Sequence, residues 1–155
     1  MKDVFCVICH NIRSRENVGS VFRTSDAFGV SKIYLTGYTP APPHPKISKT
    51  ALGAETWVLW EKRASIFDLI KELKKKKFKI IALEKTKDSG PLSGFRPRFP
   101  LALILGNEVK GISQATLKKA DKIVEIPMLG RKESLNVAVA FGVAAFNMRF
   151  TKFLR

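Results

Sequence analysis

Between Leu101 and Phe146 the chain sets the residue types that binding and catalysis need at the ends of apolar runs. The run Leu101–Leu105 stops at Gly106, Asn107 and Glu108, and Gly111 follows. A second run, Ile123–Ile126, stops at Pro127. After the loop 127–133 comes the longest apolar segment, Leu135–Phe146. The order strand, glycine loop, strand, loop, buried helix brings two strand-end loops and one helix start together. Such loops are where open α/β sheets hold ligands, so this stretch is read as a site. Its chemistry is not that of histidine, because the only two, His10 and His44, lie outside it. Cys6 and Cys9 cannot build a four-thiolate zinc site without a second pair, and read as buried free thiols. No metal is expected.

The elements that must position these loops alternate. Val4–Ile8 is a strand running into His10 and Asn11. Residues 12–29 carry Val18, Val21, Phe22, Ser25 and Phe28 at helical spacing, beginning at Glu16 or Asn17 and ending at Gly29 as a C′ glycine. Gly19 in the first turn implies a close approach of backbone or ligand. Lys32–Leu35 and Trp57–Trp60 read as the second and third strands. Between them the dense prolines of Pro40–Pro45 fix an extended loop, either a substrate lip or a rigid crossover. Ile66–Leu73 is a helix capped by Ser65, and the basic run Lys74–Lys77 reads as its solvated end, favourable to the helix dipole, with phosphate contact the second reading. Phe78–Leu83 is the fourth strand, and Ser113–Lys119 a short helix before the last. The expected fold is α/β: a mostly parallel sheet of about six strands with helices on both faces, in one domain over residues 1–155.

The formal charge of +15, from 28 Lys and Arg against 13 Asp and Glu, points to a polyanionic partner. Nucleic acid is the first reading, an anionic membrane the second, and mere solubility the third. No signal sequence and no membrane-spanning run is evident, which reads as cytoplasmic. The first strand is not followed by G-x-G-x-x-G, and no GK[ST] phosphate loop occurs, which argues against a nucleotide-binding enzyme of ordinary doubly wound type.

Three segments together resemble one family: Asn17–Gly29 (NVGSVFRTSDAFG), Leu103–Ser113 (LILGNEVKGIS) and Ile126–Gly142 (IPMLGRKESLNVAVAFG). The chain looks like the SpoU, or TrmH-like, branch of the SPOUT RNA 2'-O-ribose methyltransferases. In size and layout it is most similar to the minimal, wobble-modifying (TrmL-like) members. The resemblance implies a C-terminal deep trefoil knot, which physical priors alone would not suggest. It also implies S-adenosylmethionine (SAM) held by the knot loops, and a homodimer with the active site at the subunit interface. By motif, Asn17, Arg23, Glu108, Ser134 and Asn136 are the implied catalytic residues. Leu105, Gly106, Asn107, Gly111, Ile126, Met128 and Leu135 are implied around the cofactor, and Gly130 opens the last loop. Ser134 is expected to be both helix N-cap and site residue. For Glu108 the bland alternative is a partner to a helix N-terminus, and for Asn136 a helix cap.

Methyl transfer from a sulfonium needs the acceptor oxygen in line with the methyl carbon and relieved of its proton. Arg23, proposed in this family to activate the 2'-hydroxyl, is by itself a poor base. Stabilising the developing alkoxide and holding the adjacent phosphate is an equally physical role. Arg13, Arg15, Lys46, Lys49, Arg96 and Arg98 are the candidate RNA contacts. The expected substrate is tRNA, the wobble ribose before the D-loop or rRNA, recognised by the core surface itself. A non-catalytic RNA-binding module that kept the fold is the rival from another class.

Overall fold

The computed structural model describes residues 3–151. Its strands are β1 (Phe5–His10), β2 (Lys32–Thr36), β3 (Trp60–Arg63), β4 (Lys79–Leu83), β5 (Gly90–Pro91), β6 (Leu101–Leu105) and β7 (Lys122–Glu125). Its helices are α1 (Arg15–Ala27), α2 (Pro45–Ala51), α3 (Ile66–Lys75), α4 (Gln114–Leu117) and α5 (Val137–Phe150). The strands form one sheet in the order β3-β2-β1-β6-β4-β7-β5, and every pairing is parallel. The two-residue β5 lies in a stretch that reads as plain loop, which makes seven strands rather than six.

Period-2 alternation sorts the central strands to two layers. Phe5, Val7 and Cys9 of β1, with Leu101, Leu103 and Leu105 of β6, pack under α1, α2 and α5. Cys6, Ile8, Ala102 and Ile104 face the other way, against Leu69, Ile70 and Leu73 of α3 and Leu117 of α4. Both faces are therefore covered, as the unbroken apolar runs of β1 and β6 require. Cys6 and Cys9 are free and buried. Burial pushes their thiols up, to about 11 and about 12.

Helix starts follow side-chain caps. Ser14 caps α1, its hydroxyl accepting from the N–H of Asn17, so α1 begins at Arg15, ahead of the expected Glu16 or Asn17. Ser65 caps α3 as expected. The close approach at Gly19 is to α2: a Cβ there would lie 2.2 Å from the Ile47 carbonyl oxygen. Gly29 follows α1 at φ +62°, in the left-handed region that favours glycine.

Two further elements differ from the sequence reading. The third strand is Trp60–Arg63, not Trp57–Trp60. Residues 54–56 form a 3-10 turn, and the Trp57 indole sits at the surface donating to Asp26 Oδ1 at 2.8 Å. β3 is an edge strand paired only with β2, so its sequence need not be apolar. The last helix runs 137–150 rather than 135–146, and its N-cap is Asn136, not Ser134. Asn136 Oδ1 accepts from the N–H groups of Ala138 and Val139 at 2.9 and 3.2 Å.

Candidate active site

A cavity of about 370 Å³ opens at the carboxyl ends of β4, β6 and β7. That is a fitting size for a small-molecule cofactor. The three loops that wall it are held by different devices. After β6 the chain doubles back tightly: Asn107 and Gly111 exchange backbone hydrogen bonds of 3.2 and 2.9 Å. The Asn107 side chain accepts from the N–H groups of Val109 and Lys110. Its amide donates to the Asn11 carbonyl and the Tyr38 hydroxyl. A Cβ at Gly106 would lie 2.7 Å from the Gly111 carbonyl carbon and 2.6 Å from Ile112, so the turn closes only around glycine. Glu84, just past β4, pins the far side, accepting from the N–H of Ile112 at 3.0 Å.

This turn holds Glu108 against the start of α1. Its carboxylate accepts from the N–H groups of Arg13 and Ser14, each at 3.0 Å, and from the Asn17 amide at 3.2 Å. Burial pushes the Glu108 carboxyl up, but the bonds from Arg13, Ser14 and Asn17 outweigh it and leave it below the usual carboxylate range. Asn17 in turn accepts from the Asn136 amide at 3.0 Å. One chain of hydrogen bonds, Glu108 to Asn17 to Asn136, thus ties the β6 loop, the start of α1 and the start of α5 around the cavity. The bland alternatives for Glu108 and Asn136 both describe real contacts: one serves a helix N-terminus and the other is a cap.

Of the residues expected at the site, Asn17, Glu108, Ser134 and Asn136 line the cavity. So do Leu105, Gly106, Asn107, Gly111, Ile126, Met128 and Leu135. Arg23 does not. It lies six residues beyond Asn17 on α1, roughly 9 Å along the axis and about a third of a turn away, exposed to solvent. Its side chain makes no hydrogen bond or ion pair with a described residue. Gly130 is exposed and away from the lining.

Arg13, Arg15, Lys46 and Lys49 are exposed around the start of α1. The field of Lys46 and Lys49 adds to the bond from Glu16's own N–H in lowering the Glu16 carboxyl. Arg96 and Arg98 are exposed on the segment returning to β6, outside the cavity. Sequence reasoning missed Leu83, Glu84 and Lys85 in the lining. Their signal was their place at the carboxyl end of a strand, the rule that had already located Gly106.

The lining suits a small molecule with an apolar part and a positive charge. Leu83, Leu105, Ile126 and Leu135 supply apolar wall, and Glu84, Glu108, Glu125 and Glu133 outnumber Lys85. Glu133 alone among these carboxylates has no hydrogen bond or ion pair with a described residue. Among the described residues, no group of three His, Cys, Asp or Glu side chains could hold a metal ion, and no helix is long and apolar enough to cross a membrane.

Comparison with known proteins relates the chain to RNA methyltransferases. The chain is 33% identical over 141 residues to a tRNA (guanosine(18)-2'-O)-methyltransferase of Aquifex aeolicus, covering 90% of this chain and 66% of that protein. An AdoMet-bound rRNA methyltransferase from Sinorhizobium meliloti superposes with a TM-score of 0.90 at 26% identity, over 100% of this chain and 59% of that one. A structure concerned with 2-OH methylation of C/U34 on tRNA matches with a TM-score of 0.86 at 25% identity, over 99% of both chains. The SpoU methyltransferase AviRb from Streptomyces viridochromogenes shares the α/β fold, with a TM-score of 0.91 at 23% identity over 99% of this chain and 62% of that one. A family model, that of the SpoU rRNA methylases, matches residues 4–146, and the chain belongs to that family.

Proposed function

We propose that the protein is a SAM-dependent RNA methyltransferase that acts on the ribose 2'-hydroxyl of tRNA, at the wobble nucleotide. The observation that carries the reading is the Glu108–Asn17–Asn136 chain, which gathers the three motif segments on one cavity. The end-to-end match to the structure concerned with C/U34 supports the wobble position. The 33% identity to a guanosine-18 enzyme supports the D-loop as the second reading.

SAM supplies an electrophilic methyl group on a sulfonium. Leu105, Ile126, Met128 and Leu135 would hold its adenosine end, and the carboxylates its positive charge. The chain's own residues then orient the acceptor. Glu108 is held ionised by three hydrogen-bond donors, the Arg13 N–H bifurcated between its two oxygens, which makes it a weak base and a positioning residue. Asn17 and Asn136 are fixed by their mutual bond beside the cavity, and Ser134 is exposed at its edge.

Arg23 stands outside its own chain's cavity, so the reading requires a second copy. The face of α5 that carries Val139, Val143 and Phe146 is exposed (54%, 43% and 48%), and Leu135 continues it to the cavity. Two copies packed on this stripe would bury it. Each would then present Arg23 to the other's cavity, where the guanidinium holds the ribose-adjacent phosphate and the developing alkoxide. Mixing Arg23→Ala with Asn136→Ala protein tests this, because hybrid dimers regain one intact site and methylation recovers. No recovery on mixing refutes the shared site. Mass-spectrometric mapping of the product chooses nucleotide 34 over nucleotide 18.

A further inference from the structure

The cavity cannot itself attract RNA, since its four carboxylates face one lysine. Phosphate affinity must come from outside it: Arg13, Arg15, Lys46 and Lys49 lie around the start of α1, and the sheet's other face carries a further source. A groove of about 590 Å³ runs between α3 and the end of α4. Phe67 and Ile70 form its apolar part, Lys71, Lys74, Lys75 and Lys119 its cations, and Asp68 is its one acid. Lys74 is shared with Asp121 at 3.8 Å. The side chains of Lys71, Lys75 and Lys119 make no hydrogen bond or ion pair with a described residue.

The helix dipole explains cations in the last turn of α3. It does not explain Lys71, one turn earlier, or Lys119, which comes from the turn after α4. α3 connects the parallel strands β3 and β4, so it runs against them and its last turn lies where β4 begins. Lys118, Lys119 and Lys122 flank the start of β7, beside it. The cationic groove therefore lies away from the cavity, on the opposite layer. Phe67, 45% exposed, offers an aromatic face at the end of the groove nearer the site.

We propose that this groove is a second RNA-binding surface, which takes the sugar-phosphate backbone of the substrate at a distance from the methylated nucleotide. Phosphates neutralise the clustered lysines, and Phe67 stacks on an exposed base or ribose. A short stem-loop presented to the cavity does not reach the α3 face, whereas a whole tRNA wraps onto it. The inference rests on the RNA methyltransferase reading and adds to it how the substrate is held.

The test is the triple variant Lys71→Ala, Lys75→Ala, Lys119→Ala, which spares the Lys74–Asp121 pair. Fluorescence anisotropy with labelled full-length tRNA and with an anticodon stem-loop is followed across salt concentrations, alongside methyl transfer. For full-length tRNA the expected Kd and KM rise tenfold or more at 0.1 M salt. The log–log salt slope falls by about 2 to 3, near 0.9 for each phosphate no longer neutralised. For the stem-loop neither changes, and kcat and SAM binding stay as in the unaltered protein. Unchanged Kd and slope with full-length tRNA overturn the proposal, as does equal weakening with the stem-loop. Phosphatidylserine vesicles that bind the unaltered protein and not the variant, with tRNA binding intact, assign the groove to membrane instead. Failure of the unaltered protein to methylate any RNA sinks the underlying reading, and the control arm shows that separately.

Discussion

Replacing Glu108 by Gln keeps the shape and removes the charge. The carboxylate accepts from Arg13 and Ser14 at the mouth of α1 and from Asn17 beside them. A hydrogen bond to a charged group contributes about 1.5–3 kcal/mol against about 0.5–1.5 for a neutral one. The best rotamer of Gln keeps Oε1 toward Ser14 and Asn17 and turns its NH₂ group on the Arg13 N–H, losing one bond and weakening two. With partial exposure discounted, the cost is about 2 kcal/mol, or about 4–8 °C in Tm for a chain of this length. The pH dependence has a definite sign. Glu108 is lowered when folded, so its contribution is complete above its unfolded pKa and is lost as pH falls through the folded value. Thermal unfolding across the acid range should show a shallower loss of stability in Glu108→Gln than in the unaltered protein. Methyl transfer should fall with it, because the bond that anchors Asn17 weakens. A variant with the same Tm at neutral pH and the same acid profile would refute the assignment of Glu108 as the ionised anchor.

Arg23→Lys should lower kcat/KM by about a hundredfold or more, with SAM affinity unchanged by calorimetry, because a point charge replaces a planar fork. Gly106→Ala places a Cβ 2.7 Å from backbone at Gly111, so SAM binding should be lost and stability should fall by several degrees in Tm. Val143→Arg, on the exposed stripe of α5, should turn a dimer into a monomer in analytical ultracentrifugation and abolish activity while the circular dichroism spectrum is kept.

The site was legible in the sequence where chemistry coincides with a change of pattern. Gly106 and Gly111 bracket a strand end, and Pro127 ends another, so the cavity walls could be found from apolar runs alone. Asn17 and Asn136 needed the family resemblance, because nothing local says that residues 119 apart will share a hydrogen bond. Trp57–Trp60 misled because an apolar quartet looks the same beside an edge strand as in a central one. The start of α5 misled because both Ser134 and Asn136 can cap, and only the path of the loop decides between them. Arg23 shows a limit of another kind: its motif was legible, but its distance from its own chain's cavity follows from helical geometry that the motif does not carry. The lysines of α3 read as a solvated helix end until Lys119 joined them across the fold.

The most direct measurement incubates the purified protein with methyl-tritiated SAM and unmodified tRNA, then hydrolyses the product in alkali. A 2'-O-methyl group blocks cleavage at its own phosphodiester. The account predicts label in one alkali-resistant dinucleotide containing nucleotide 34, and none with Arg23→Ala. Label released as mononucleotide would place the methyl on a base and contradict the ribose chemistry. No label in tRNA, with no measurable SAM binding, would make the protein an RNA-binding module that keeps the fold without the reaction.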